Sequence, residues 1–96
     1  MNLISVRMIQ DAVCEAFGVE HSALLSPRRK KKLVEPRHIA MFMARELTAC
    51  SFPEIGRRFG GKHHSTVIHA IQKIEKLRKV DRDFDKTVES FLQSLK

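Results

Sequence analysis

Lys62, His63, His64, Ser65 and Thr66 are successive residues that can each donate or accept a hydrogen bond. They follow Gly60-Gly61 and open a stretch of helical periodicity, so they stand at the start of a helix. Imidazole and hydroxyl groups can bond to base edges, and a threonine methyl can pack on a thymine methyl. Free N–H groups at a helix start attract phosphate. Before the glycines, Phe52-Pro-Glu-Ile-Gly-Arg-Arg-Phe59 reads as a shorter helix. Short helix, glycine turn and polar-ended second helix form a helix-turn-helix over about residues 52–79, the layout that inserts its second helix into the DNA major groove. Upstream lies the run Arg28-Arg-Lys-Lys-Lys32. Adjacent cations repel one another unless counter-ions intervene, and phosphates at their spacing along DNA supply those. An arginine from such a loop can also enter a narrow minor groove.

Other chemistry finds little support. His63, His64 and His69 lack the i, i+4 spacing of a metal pair, and there is no HExxH. Protonation of these histidines is expected to modulate DNA contact in vitro, since an unperturbed imidazole titrates near pH ~6.5. Cys14 and Cys50 are far apart and read as small buried side chains in a reducing cytosol. Met41 and Met43 read as core filler. The chain has no GxxxxGK[ST] loop, no paired-carboxylate constellation and no nucleophile–base signature. The expectation is a binding protein, not an enzyme, with no metal and no cofactor. The formal charge of +7 and pI of about 9.9 point to a polyanionic partner, nucleic acid or anionic membrane, without choosing between them. The longest apolar run, Ile39 to Ala44, is far too short to cross a bilayer, and no signal peptide is visible. A cytoplasmic, nucleoid-associated protein is expected.

The elements that must position these residues are all helical. The 96 residues are expected to form a single domain of five to six helices around one modest core. Val6, Ile9, Val13, Ala16 and Phe17 share one helix face, with Ser5 as cap and Gly18 as stop. Ser22 to Leu25 is a short helical turn. Pro36 suits the first turn of a central, most buried helix ending near Cys50. Ser51, Pro53 and Glu54 start the next helix, which Gly60-Gly61 ends. A long helix from about His63 to Lys79 has Val67, Ala70, Ile71, Ile74 and Leu77 on its core side. Asp81 caps a last helix striped by Phe84, Val88, Phe91, Leu92 and Leu95.

Several segments carry a resemblance. Ala23-Leu-Leu-Ser26, the basic run, Pro36-Arg-His-Ile-Ala-Met41, Ala44-Arg-Glu-Leu-Thr48, Pro53-Glu-Ile-Gly56, Phe59-Gly-Gly-Lys62, His64-Ser-Thr-Val67, His69-Ala70 and Lys73-Ile74 lie in family register. From about Ile4 to Leu95 the chain resembles the C-terminal DNA-binding domain of the bacterial replication initiator DnaA. The resemblance implies an all-α, Trp-repressor-like helix-turn-helix bundle. It implies a monomer recognising short, asymmetric, A·T-containing boxes on double-stranded DNA, with no membrane role. Arg29 matches the arginine that enters the minor groove, and Arg37 and His38 match backbone-contacting positions. Lys31, Arg45 and Lys62 join them as basic contacts, Arg45 at a position that touches phosphate. His64, Ser65 and Thr66 match a His-Thr-Thr that reads the major groove, and Ile68 matches an apolar position near a thymine methyl. The full-length initiator and other replication proteins are candidate partners.

Two departures stand out. His63 occupies a position where the family usually has Asp, replacing an acceptor suited to cytosine N4 by a group that can donate to guanine or phosphate. Altered base preference with retained affinity is expected there. The family's ATP-binding AAA+ module has no counterpart in these residues, so the chain is either an excised domain or a stand-alone relative that occupies initiator boxes and so competes with or assists the initiator, or regulates transcription. Two other functions compete with specific DNA reading. One is a protein-interaction module that keeps the fold and uses Phe84, Val88 and Phe91. The other is non-specific binding of RNA or anionic membrane through the basic run.

Overall fold

The structure, a computed structural model, describes residues 3–96. It contains six helices: α1 (Val6–Phe17), α2 (His21–Leu25), α3 (Lys31–Leu47), α4 (Phe52–Arg58), α5 (His64–Val80) and α6 (Arg82–Leu95). The expected caps are in place. Ser5 Oγ accepts from the Met8 N–H at 3.1 Å, Ser51 Oγ from Glu54 at 3.3 Å, and Asp81 Oδ1 from Phe84 at 3.0 Å. Gly18 ends α1 in the left-handed region at φ 66°.

α3 begins five residues earlier than expected, at Lys31, so Pro36 lies inside the helix rather than in its first turn. The Lys30 carbonyl accepts from Leu33 and Val34 at 2.8 and 3.0 Å, closing a turn before the proline is reached. Burial of Leu33 rewards that turn, while Pro36 removes one ladder bond. The helix stops at Leu47, short of Cys50. In α1 the core stripe is also shorter than its pattern. Val6, Ile9 and Val13 are buried, but Ala16 is exposed and Phe17 is half-exposed, stacked on Phe91 of α6 at 5.7 Å.

α3 is the centre of the core, as its apolar breadth predicts: all six residues from Ile39 to Ala44 are buried. Against it pack Ile55 and Phe59 from α4 and its end, Val67, Ala70, Ile71 and Ile74 from α5, and Val88 and Leu92 from α6. Arg78 locks α5 to α6 through Asp85 at 2.6 Å and Glu89 at 2.7 Å, with its guanidinium 5.4 Å from the Phe42 ring centroid. Gln10, buried on α1, donates to the Arg58 carbonyl at 2.9 Å and bonds His21 at 2.7 Å. That network ties α1 and α2 to the end of α4.

The turn between α4 and α5 depends on glycine. Gly60 and Gly61 have φ 84° and 75°, a region L side chains rarely adopt. Gly56 and Gly60 also make backbone approaches that exclude a side chain. A Cβ on Gly56 would overlap the Lys62 carbonyl, and one on Gly60 would overlap the Leu25 carbonyl. The second approach brings the helix-turn-helix turn against the chain leading into the basic run. No helix among the described residues is long and apolar enough to cross a membrane.

Candidate nucleic-acid interface

Residues 28–30 run without regular structure between α2 and α3, and the side chains of Arg28, Arg29 and Lys30 are exposed. Lys31 and Lys32 form the exposed first turn of α3, which has no side-chain cap and no acidic residue. Cations there oppose the helix dipole, at about 0.3–1 kcal/mol each. A polyanion seated at this end removes the conflict.

The start of α5 lies across from this loop. His63 is its N-cap: Nδ1 accepts from the Ser65 N–H at 3.1 Å and sits 2.8 Å from Ser65 Oγ. An Nδ1 that accepts carries no proton, so the neutral ring bears its hydrogen on Nε2. The cap therefore makes the exposed His63 a donor at its outer nitrogen. The His63 and His64 rings lie 4.2 Å apart between centroids, and Ser65 and Thr66 are exposed beside them.

A cleft of about 540 Å³ separates the two segments. It is lined by Arg29, Arg37, His38, Lys62, His63 and Thr66 among others, so six of the residues singled out from sequence share one concave surface. Lys31 lines an adjoining groove with Arg29, His38 and Lys73. His64 and Ser65 extend the surface along the start of α5, where Ile68 is half-buried. Arg45 stands apart at the α3–α4 junction, donating to the Cys50 carbonyl at 3.1 Å with its guanidinium 4.2 Å from the Phe52 ring centroid. Lys73 was named from sequence within a segment in family register, but not as a contact residue. It follows Thr66 by two helical turns, and that spacing was the available signal.

The cations of the cleft differ in their surroundings. Arg37 is only 4% exposed and turns inward, donating to the carbonyls of Leu24 at 2.7 Å, Arg28 at 2.9 Å and Ala23 at 3.3 Å. Lys62 Nζ donates to the carbonyls of Phe59 at 2.8 Å, Ser26 at 3.2 Å and Leu25 at 3.3 Å. Burial pushes both below their ordinary pKa values, and Arg37's charge adds to the effect on Lys62. His38 is half-buried and held below the ordinary histidine value by burial first, then by Lys73 and Arg37. Cys14 is a buried free thiol, raised by burial and by Asp11, while Cys50 is a half-buried one.

Comparison with known proteins agrees with this geometry. The family described as "Bacterial dnaA protein helix-turn-helix" matches residues 6–74. The chromosomal replication initiator protein DnaA of Citrifermentans bemidjiense is 51% identical over 92 residues, covering 96% of this chain and 20% of the relative. DnaA of Geobacter sulfurreducens is 49% identical over 92 residues, and that of Sphingopyxis alaskensis 46%. The chain thus spans about a fifth of the length of these curated relatives. A crystal structure of a DNA replication initiation factor superposes with a TM-score of 0.86 at 34% identity, covering 94% of this chain and 27% of that one. The chain belongs to the bacterial DnaA helix-turn-helix family.

Proposed function

We propose that the chain is a sequence-specific reader of duplex DNA that recognises DnaA-box-like sites and acts in, or regulates, the initiation of chromosome replication. The observation that carries this reading is the cleft in which Arg29 of the basic loop faces His63 and Thr66 at the start of α5. Arg29 enters the minor groove while His63, His64, Ser65 and Thr66 address base edges in the adjacent major groove. Ile68 supplies an apolar contact to a thymine methyl. Lys31, Lys73 and Arg45 hold phosphates, which places charge along the duplex without specifying sequence. The two reading groups differ in kind, so one copy reads an asymmetric site as a monomer. Family membership supports a cytoplasmic location at the nucleoid. Partnership with a full-length initiator follows from shared boxes.

The competing interaction-module reading needs a free apolar face on α6. Val88 and Leu92 are buried there, and Phe84 and Phe91 pack against the core. The test is selection of bound duplexes from a random library at near-physiological salt, without metal or nucleotide. Enrichment of a short asymmetric box is expected, unchanged by EDTA or added ATP. Salt-sensitive binding with no enriched sequence refutes specific reading.

A further inference from the structure

We infer that Arg37 and Lys62 are positioning residues that fasten the minor-groove loop to the helix-turn-helix turn and fix the spacing between the two reading groups. The inference rests on the DNA-reading function proposed above. Both residues are cations, and in sequence both look like phosphate contacts. Their donors point elsewhere. All three hydrogens of an ammonium are accounted for in Lys62 by the carbonyls of Phe59, Ser26 and Leu25. Arg37 spends its Nε and both terminal nitrogens on the carbonyls of Leu24, Arg28 and Ala23.

The acceptors explain the arrangement. Ala23, Leu24 and Leu25 lie in the last turn of α2, where carbonyls carry the negative end of the helix dipole. Ser26 donates to the Ala23 carbonyl through its N–H at 3.2 Å and its hydroxyl at 2.7 Å, and the carbonyls of Leu24 and Leu25 are left to the two cations. Among the described residues no carboxylate forms a salt bridge with either cation. With the C-cap Ser26, the two side chains therefore complete the end of α2, one reaching from α3 and one from the α4–α5 turn.

The consequence falls on Arg29. The carbonyl of the preceding residue, Arg28, is held by Arg37 at 2.9 Å. The carbonyl of the following residue, Lys30, is held by Leu33 and Val34 at 2.8 and 3.0 Å. Arg29 is exposed between two fixed points. Lys62 immediately precedes His63, the cap of α5, so the same tie reaches the start of the major-groove helix. Ordering of the loop is completed on folding, not on binding, which favours affinity and fixes register.

A thermodynamic cycle separates positioning from phosphate contact. The 96-residue chain, Lys62→Met, Arg29→Ala and the double variant are titrated with the selected duplex and with random duplex across a range of salt. Lys62→Met retains the half-buried stem and removes the donors. It should weaken the selected duplex by roughly tenfold when Arg29 is present and by less than about twofold when it is absent, with the salt slope unchanged. Hydrogen exchange of the free protein should be faster at the Ser26 N–H, which bonds the Ala23 carbonyl at 3.2 Å, in Lys62→Met. Equal loss in both backgrounds, or a slope shallower by about 0.9, makes Lys62 an ordinary phosphate contact and overturns the proposal. No loss at all overturns it too. Wild-type protein that binds both duplexes alike refutes the DNA-reading function itself, a result distinct from additivity. Arg37→Lys is the second variant, with the same coupling to Arg29 expected if it folds; Lys62→Met decides the matter if it does not.

Discussion

His63 offers the sharpest test of how the interface reads DNA. Its Nδ1 accepts from the Ser65 N–H at 3.1 Å, which leaves Nε2–H as the outward group. The ring therefore offers a donor to base acceptors such as guanine O6 and N7 or thymine O4. His63→Asp keeps the cap, since Asp is among the best N-cap residues. It reverses the outer edge to an acceptor, suited to cytosine N4 or adenine N6. Discrimination by one good base contact is about 1–3 kcal/mol, a change of roughly 5- to 150-fold in relative affinity at one base pair. The added negative charge weakens all duplexes together, so ratios between duplexes isolate the reading term. His63→Ala loses the cap, at about 1 kcal/mol, and lowers Tm by roughly 4–8 °C. The assay is competition among duplexes carrying all four base pairs at each position, alongside thermal unfolding of the free proteins. Identical base preference in wild type and His63→Asp would falsify the donor assignment. An unchanged Tm in His63→Ala removes the cap from the account.

Other perturbations separate folding from binding. Lys31→Glu places an anion in the first turn of α3, where there is none, and should raise Tm by a few °C from about 1 kcal/mol of dipole relief; a salt titration should show weaker binding and a slope shallower by about 0.9. Arg29→Ala should cost on the order of 1–3 kcal/mol and relax the A·T preference, whereas a uniform loss on every sequence rejects minor-groove reading. Gly60→Ala should lower Tm more than Gly61→Ala: both have positive φ, but only at Gly60 does a Cβ meet a carbonyl, that of Leu25, as thermal melts will show. His38 has a folded pKa held below its unfolded one by burial, Lys73 and Arg37, with Arg29, Lys31 and Glu35 lining the same groove. Its contribution to stability is full above the ordinary histidine value and lost as pH falls toward the folded one. Tm should therefore fall on acidification, and His38→Gln should flatten the profile; an identical profile in the variant refutes the assignment.

The glycine turn, the start of α5 and the basic loop were legible because they break local patterns visibly. Two glycines followed by a run of hydrogen-bonding residues have few meanings other than a turn into a helix start, and a run of cations is conspicuous. The caps Ser5, Ser51 and Asp81 were legible for a similar reason, since a short polar side chain before an apolar periodicity satisfies orphan N–H groups. The inward polar residues were not. Arg37, Lys62 and Gln10 bond to backbone carbonyls, which every residue carries, so no sequence partner betrays them. Pro36 misplaced the start of α3 because proline is common in a first helical turn, and only burial of Leu33 shows that an earlier turn forms.

The helix ends show where folding and function diverge. α4 and α6 carry a side-chain cap and acidic residues in their first turns: Ser51 with Glu54, and Asp81 with Asp83 and Asp85. Both features complement the dipole and stabilise the free protein. α3 begins at the basic loop with neither a side-chain cap nor an acid, and with Lys31 and Lys32 in the least favourable positions for cations. α5 is capped, but by an imidazole, and has no acid in its first turn. An acid at either start would stabilise the isolated helix and repel phosphate. The two helices that open onto the cleft thus forgo an interaction that α4 and α6 use. α1 and α2 also lack a first-turn acid, and α2 a side-chain cap, so what sets the cleft apart is the pair of cations, Lys31 and Lys32, placed at the uncapped start of α3, as a binding site for a polyanion requires.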